Sequence, residues 1–146
     1  MQLPHDAVVL VADGRKMLFL RNEGDAQNPN LVVEHAEEQA NPADREQTTD
    51  DAGRASSPQG ASQSSMGRAD AHQIEEDRFA ASAADLLKRR ALGNEFERLI
   101  VIAPPKTLGE LRKHYHKEVT QRLSGELDQD LTGHPIDQIE KLLLAA

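Results

Sequence analysis

Leu99-Ile100-Val101-Ile102-Ala103 places five apolar residues in a row with no polar residue between them. A strand with one face in water alternates, so a run without alternation marks a strand buried on both faces of a sheet. The run ends at Pro104-Pro105-Lys106, after which Thr107 and Glu110 form a T-x-x-E capping box and Leu108, Leu111 and Tyr115 share one helical face. A buried strand feeding a helix is a building unit of an α/β fold.

The flanking segments extend this pattern. Ala7–Ala12 and Met17–Arg21 read as two strands joined through Asp13-Gly14-Arg15-Lys16, where the Asp-Gly pair predicts positive φ angles and a tight hairpin turn. Leu31–His35 predicts a third strand. From Ala36 to Asp70 the only apolar residue larger than alanine is Met66, a composition that predicts a long mobile loop at about residues 36–70. Asp70 as a cap with Gln73 at the reciprocal position opens a helix over about Ala71–Leu92. Phe79, Ala80, Ala83, Leu86 and Leu87 make its apolar stripe, and Gly93-Asn94 stops it. Val119–Leu131 fits both helical and strand periods, and a strand around Arg122–Asp128 is the preferred reading. Pro135 in a first turn, followed by Ile136, Ile139, Leu142 and Leu143, predicts a closing helix. The order β-β-β-loop-α-β-α-β-α in 146 residues predicts a single α/β domain: a mixed sheet of about five strands with covering helices.

Composition narrows the chemistry. Only Phe19, Phe79, Phe96 and Tyr115 are aromatic, too few for a base-stacking platform. The absence of cysteine removes thiolate catalysis and thiolate metal sites. The apolar run near the start, Ala7–Ala12, is too short for a signal or membrane segment, so a cytoplasmic protein with no membrane contact is expected. No P-loop, dinucleotide fingerprint or nucleophile elbow occurs, and no cofactor is expected. His114 and His116 flank Tyr115 at a helical spacing that points them apart, which argues against a shared metal ion. His72 reads as a first-turn polar group. Asp13, Glu34 and Asp70 would have to converge to make a two-cation nuclease site, but Asp13 is accounted for by its turn.

The binding signal lies after the buried strand. Free backbone N–H groups at a helix start beside Lys106 and Thr107 attract anions, and phosphate is the obvious candidate. Between Leu87 and Leu123 there are nine Lys or Arg against four acids, in a chain whose net charge is -8. That polarity suits a local basic face for polyanions, with Arg112 and Lys113 alongside Lys106. Two plainer readings stay open: the prolines stiffen a βα loop, and the cations are the usual companions of helix C-termini.

ADGRKMLFLRN near the start, FAASAADLL on the long helix, APPKTLGELR at Ala103–Arg112 and DLTGHP at Asp130–Pro135 resemble the bacterial host attachment family, "protein required for attachment to host cells", over essentially the whole chain. That family is similar to bacterial relatives of the middle domain of archaeo-eukaryotic peptide-release factors. The resemblance implies an α/β domain whose loop, in release factors, presents a Gly-Gly-Gln tripeptide to the ribosome. Here the corresponding stretch reads Ser57-Pro58-Gln59-Gly60-Ala61-Ser62-Gln63, and the tripeptide is missing. The reading that follows is a non-enzymatic module that binds RNA or a ribosome-associated partner through Lys106, Thr107, Arg112 and Lys113. Arg54, Gln59, Gly60, Gln63 and Arg68 of the loop would probe the partner. The alternatives are a protein-interaction adaptor that affects attachment indirectly through the 36–70 loop, and residual peptidyl-tRNA ester hydrolysis using Gln59 or Gln63.

Overall fold

The computed structural model describes residues 1–39 and 58–146. Within them the strands are β1 (Val8–Ala12), β2 (Lys16–Asn22), β3 (Leu31–Glu38), β4 (Leu99–Ile102) and β5 (Leu123–Leu127). The described helices are α1 (Pro58–Leu92), α2 (Pro105–His114), α3 (Lys117–Arg122) and α4 (Ile136–Ala145). The five strands form one sheet in the order β3-β2-β1-β4-β5. β1–β2 and β2–β3 pair antiparallel, while β1–β4 and β4–β5 pair parallel, so the sheet is mixed as its sequence implies.

Every residue of β1 and β4 is buried. Val8, Leu10, Ala12, Leu99, Val101 and Ala103 face α1, α2 and α3 in one core cluster with Phe79, Ala83, Leu87, Leu111 and Val119. Val9, Val11, Ile100 and Ile102 face the other way, against Leu3, Leu131 and the α4 residues Ile139 and Leu143. The missing alternation of the central strands therefore has its expected cause. Ala80, Ala83, Ala84 and Ala91 are all buried on α1, and their small side chains let this helix lie close on the sheet.

Several local expectations are corrected. No described glycine has a positive φ, so the β1–β2 turn does not rest on a left-handed Gly14. Asp13 builds it instead: its Oδ1 accepts from the backbone N–H groups of Arg15 (2.8 Å) and Lys16 (2.7 Å). Gly14 serves space rather than conformation, because a Cβ there would stand 2.7 Å from the Glu76 side chain of α1. β3 runs three residues beyond His35, to Glu38. α1 begins at Pro58 rather than near Ala71, so Asp70 lies inside the helix and is not its cap. Proline is well placed at a first turn, where its missing N–H costs no helical bond. The predicted loop is shortened accordingly, and its remainder from residue 40 to 57 lies outside the described residues. At the other end Asn94, with φ of 54°, takes the left-handed position that closes α1, and its N–H reaches the Ala91 carbonyl (2.9 Å).

The ambiguous stretch after Tyr115 resolves into both structures it suggested. Val119 lies in α3, buried against the α1 side, and the strand follows at once from Leu123. His114 and His116 do not share a helix: α2 ends at His114, and His116 is the N-cap of α3, its Nδ1 accepting from the Glu118 N–H at 3.1 Å.

Candidate functional site

The unit singled out by its sequence is β4, the Ala103-Pro104 link and α2. The helix begins earlier than the T-x-x-E pattern implies: Pro104 is the N-cap, no side chain caps it, and Pro105 occupies the first turn. Two fixed proline φ angles start the helix before Thr107 is reached, which leaves Thr107 half-buried inside the first turn. Lys106 beside it is exposed and has no ion-pair partner among the described residues. Lys106, Glu110 and Lys113 then follow at i, i+4 and i+7, one stripe of α2.

Leu108 and Leu111 anchor the opposite side of the helix in the core. Glu110, freed from any capping duty, faces Lys113 (3.0 Å) and His114 (3.7 Å). Arg112 points elsewhere, to β5: its Nε and Nη2 donate to Glu126 Oε1 at 3.1 and 2.8 Å. The other Glu126 oxygen accepts from the Tyr115 hydroxyl at 3.1 Å. These carboxylates raise both the Arg112 and the Lys113 pKa above their ordinary values, chiefly through the hydrogen bonds. Burial, reinforced by the Glu126 charge, pushes the Tyr115 phenol well above its usual range. Arg112 and Lys113 remain more than half exposed, and ion pairs of that kind exchange readily for another anion.

The wider set of cations is divided. Arg89 pairs with Asp85, Arg90 with Glu34 and Arg122 with Glu118. The Arg122 hydrogen bond holds the Glu118 carboxyl below its usual value. Lys88, Arg98, Lys106 and Lys117 carry no ion pair among the described residues. Arg98 precedes β4 and Lys106 follows it, so these two stand at opposite ends of one strand. Of the predicted loop residues, Gln59, Gly60, Gln63 and Arg68 fall within the first part of α1, while Arg54 lies outside the described residues.

The DLTGHP segment is placed by a contact that its sequence does not announce. Thr132, almost fully buried, donates to Asp13 Oδ2 at 2.7 Å and lies 3.1 Å from Asp130 Oδ1. This fastens the approach to α4 onto the β1–β2 turn. Asp13 accepts three hydrogen bonds and Glu34 pairs with two arginines, and Asp13, Glu34 and Asp70 form no cluster among the described residues. Among the described residues no group of three potential metal ligands exists, and no helix is long and apolar enough to cross a membrane.

A mixed sheet with a long helix and a βα unit on one face and a C-terminal helix on the other defines an α/β domain. The chain belongs to bacterial archaeo-eukaryotic release factor family 12, which it matches over residues 6–143. No curated protein matches it.

Proposed function

We propose that this release-factor-related protein is a non-enzymatic, cytoplasmic module that engages RNA or a ribosome-associated partner through α2. The supporting observation is the pair Lys106 and Lys113, exposed about two helical turns apart on one stripe of α2, with the exposed Arg112 directed to the neighbouring β5. A phosphate backbone offers charge at a spacing that such a stripe can follow, and it displaces the weak surface partners Glu110 and Glu126. Residues from Arg54 to Arg68, at the position of the release-factor loop, contact the same partner. Without a Gly-Gly-Gln tripeptide this segment lacks the two glycines that allow close backbone approach to a reacting ester.

Filter binding to tRNA and rRNA at two salt concentrations tests the proposal. Wild-type retention falls with salt, and Arg112→Glu with Lys113→Glu weakens it and reduces the slope of log K against log salt by at least about 1.4, from two lost phosphate contacts. Binding unchanged by this double reversal refutes it. A second reading, an adaptor that affects attachment to host cells through a protein partner, draws on the likeness carried by APPKTLGELR and DLTGHP. Affinity capture with and without nuclease separates the two, since only protein partners survive RNA digestion.

A further inference from the structure

On the α1 side of the sheet, away from α2, Phe19 pairs with His35 and Leu20 with Val33, which leaves Glu34 as the extra residue of a β-bulge. The bulge presents Glu34 to two arginines. Arg21 Nε donates to its Oε2 at 2.8 Å, and Arg90 Nη1 reaches Oε1 at 3.4 Å. The arginine side chains are only 17% and 20% exposed, against 33% for Glu34. Two mostly buried guanidinium charges thus share one more accessible carboxylate.

Neither arginine depends on Glu34 for its position. Arg21 donates through Nη2 to the Glu95 carbonyl at 2.7 Å and through Nη1 to the Asp6 carbonyl at 3.3 Å. The Arg90 guanidinium lies 4.2 Å over the Phe19 ring, which Phe96 steadies edge-on at 6.2 Å. Of the neighbouring carboxylates, Asp85 pairs with Arg89 (3.0 Å) and Glu37 with His35 (2.8 Å), while Asp6, 3.5 Å from His5, lines the hollow beside Arg21 together with Glu95 and Glu97. That hollow is a separate concavity of about 280 Å³, lined by those three acids as well as by His5 and Arg98 and not by Arg90 or Glu34, so an anion would enter at the carboxylate's own place rather than there.

We propose that Arg21 and Arg90 form a phosphate-binding site whose internal occupant is Glu34. Planar guanidinium groups recognise carboxylate and phosphate with the same fork geometry, so the carboxylate stands in for the ligand and must swing out to admit it. A strut tying β3 to α1 would need one arginine. The second, at 3.4 Å from the carboxylate and held by an aromatic ring, leaves a surplus positive charge that a doubly charged anion neutralises.

Calorimetric titration of the full chain with sodium phosphate, at ionic strength fixed with sodium chloride, tests this. Glu34→Gln removes a unit charge a few ångström from the bound anion and raises phosphate affinity about tenfold or more. The gain disappears in Glu34→Gln/Arg21→Gln and in Glu34→Gln/Arg90→Gln, and it persists when Arg112 and Lys113 are reversed, so its success is independent of the α2 proposal. A Glu34→Gln protein that melts earlier and gains no phosphate affinity overturns the site. If that variant does not fold, Glu34→Asp, which keeps the charge but shortens the reach, shows a smaller gain or likewise overturns it. Comparing 5′-phosphorylated with unphosphorylated oligoribonucleotides on the folded variant identifies the source: preference for the former marks a terminal phosphate, and equal gain marks the backbone.

Discussion

Thr132→Val swaps a hydroxyl for a methyl at a position 8% exposed and removes the donor to Asp13 Oδ2 at 2.7 Å. The hydroxyl has one proton, and the shorter of its two carboxylate contacts takes it, since Asp130 is 3.1 Å away. A hydrogen bond to a charged acceptor contributes roughly 1.5–3 kcal/mol. Asp13 is half-buried and already accepts two backbone N–H groups, so the lower end applies: about 1.5 kcal/mol for the contact. Asp13→Ala costs more, because it also dismantles the β1–β2 turn, but that part cancels in a double-mutant cycle. Urea unfolding of both single variants and the double variant, followed by circular dichroism, should give unchanged m-values and a coupling energy of about 1–1.5 kcal/mol. Additivity within about 0.3 kcal/mol would refute the claim that this contact fastens the DLTGHP segment to the hairpin.

Tyr115 is the sole tyrosine, so its ionisation is readable by ultraviolet absorbance. Its folded pKa is raised, so the stability it confers is present below the ordinary value of 10.0 and is lost as pH rises towards the folded value. Tyrosinate should therefore appear only well above pH 10.0 or together with unfolding, and Tyr115→Phe should flatten the alkaline limb; titration at the ordinary value with native circular dichroism would contradict the burial and the Glu126 contact. Gly109→Ala, in the interior of α2 with nothing within 4 Å of the added Cβ, should stabilise the protein by about 0.5–1 kcal/mol in thermal unfolding. Gly24→Ala should do the opposite, because its Cβ would meet the Asn28 carbonyl oxygen at 2.1 Å and backbone must move.

Much of the architecture was legible because it rests on short-range pattern. The unbroken apolar run at Leu99–Ala103 required two covered faces, and the structure supplies α1–α3 on one and α4 on the other. The hairpin, the apolar stripe of α1 and the closing helix were readable for the same reason: local periodicity reports which face meets the core. Misjudged boundaries came from competing local signals. Thr107-x-x-Glu110 imitates a cap, but Pro104 and Pro105 start the helix sooner, and Asp70 imitates one within a helix that begins at Pro58.

Side-chain partnership followed different rules. Arg112 and Lys113 are visible in the sequence as cations, and Glu110, three residues before Lys113, is a partner that helical spacing reveals. Glu126 is not, because it reaches Arg112 only when β5 is laid beside β4. Asp13 with Thr132, and Glu34 with Arg21 and Arg90, are likewise brought together by sheet order, a bulge and helix placement. Periodicity along the chain determined the strands, the helices and the buried face of each, since burial repeats with the geometry of one element. Which charges neutralise one another was decided only in three dimensions, because Coulomb attraction and hydrogen bonding act over a few ångström of space regardless of separation along the chain.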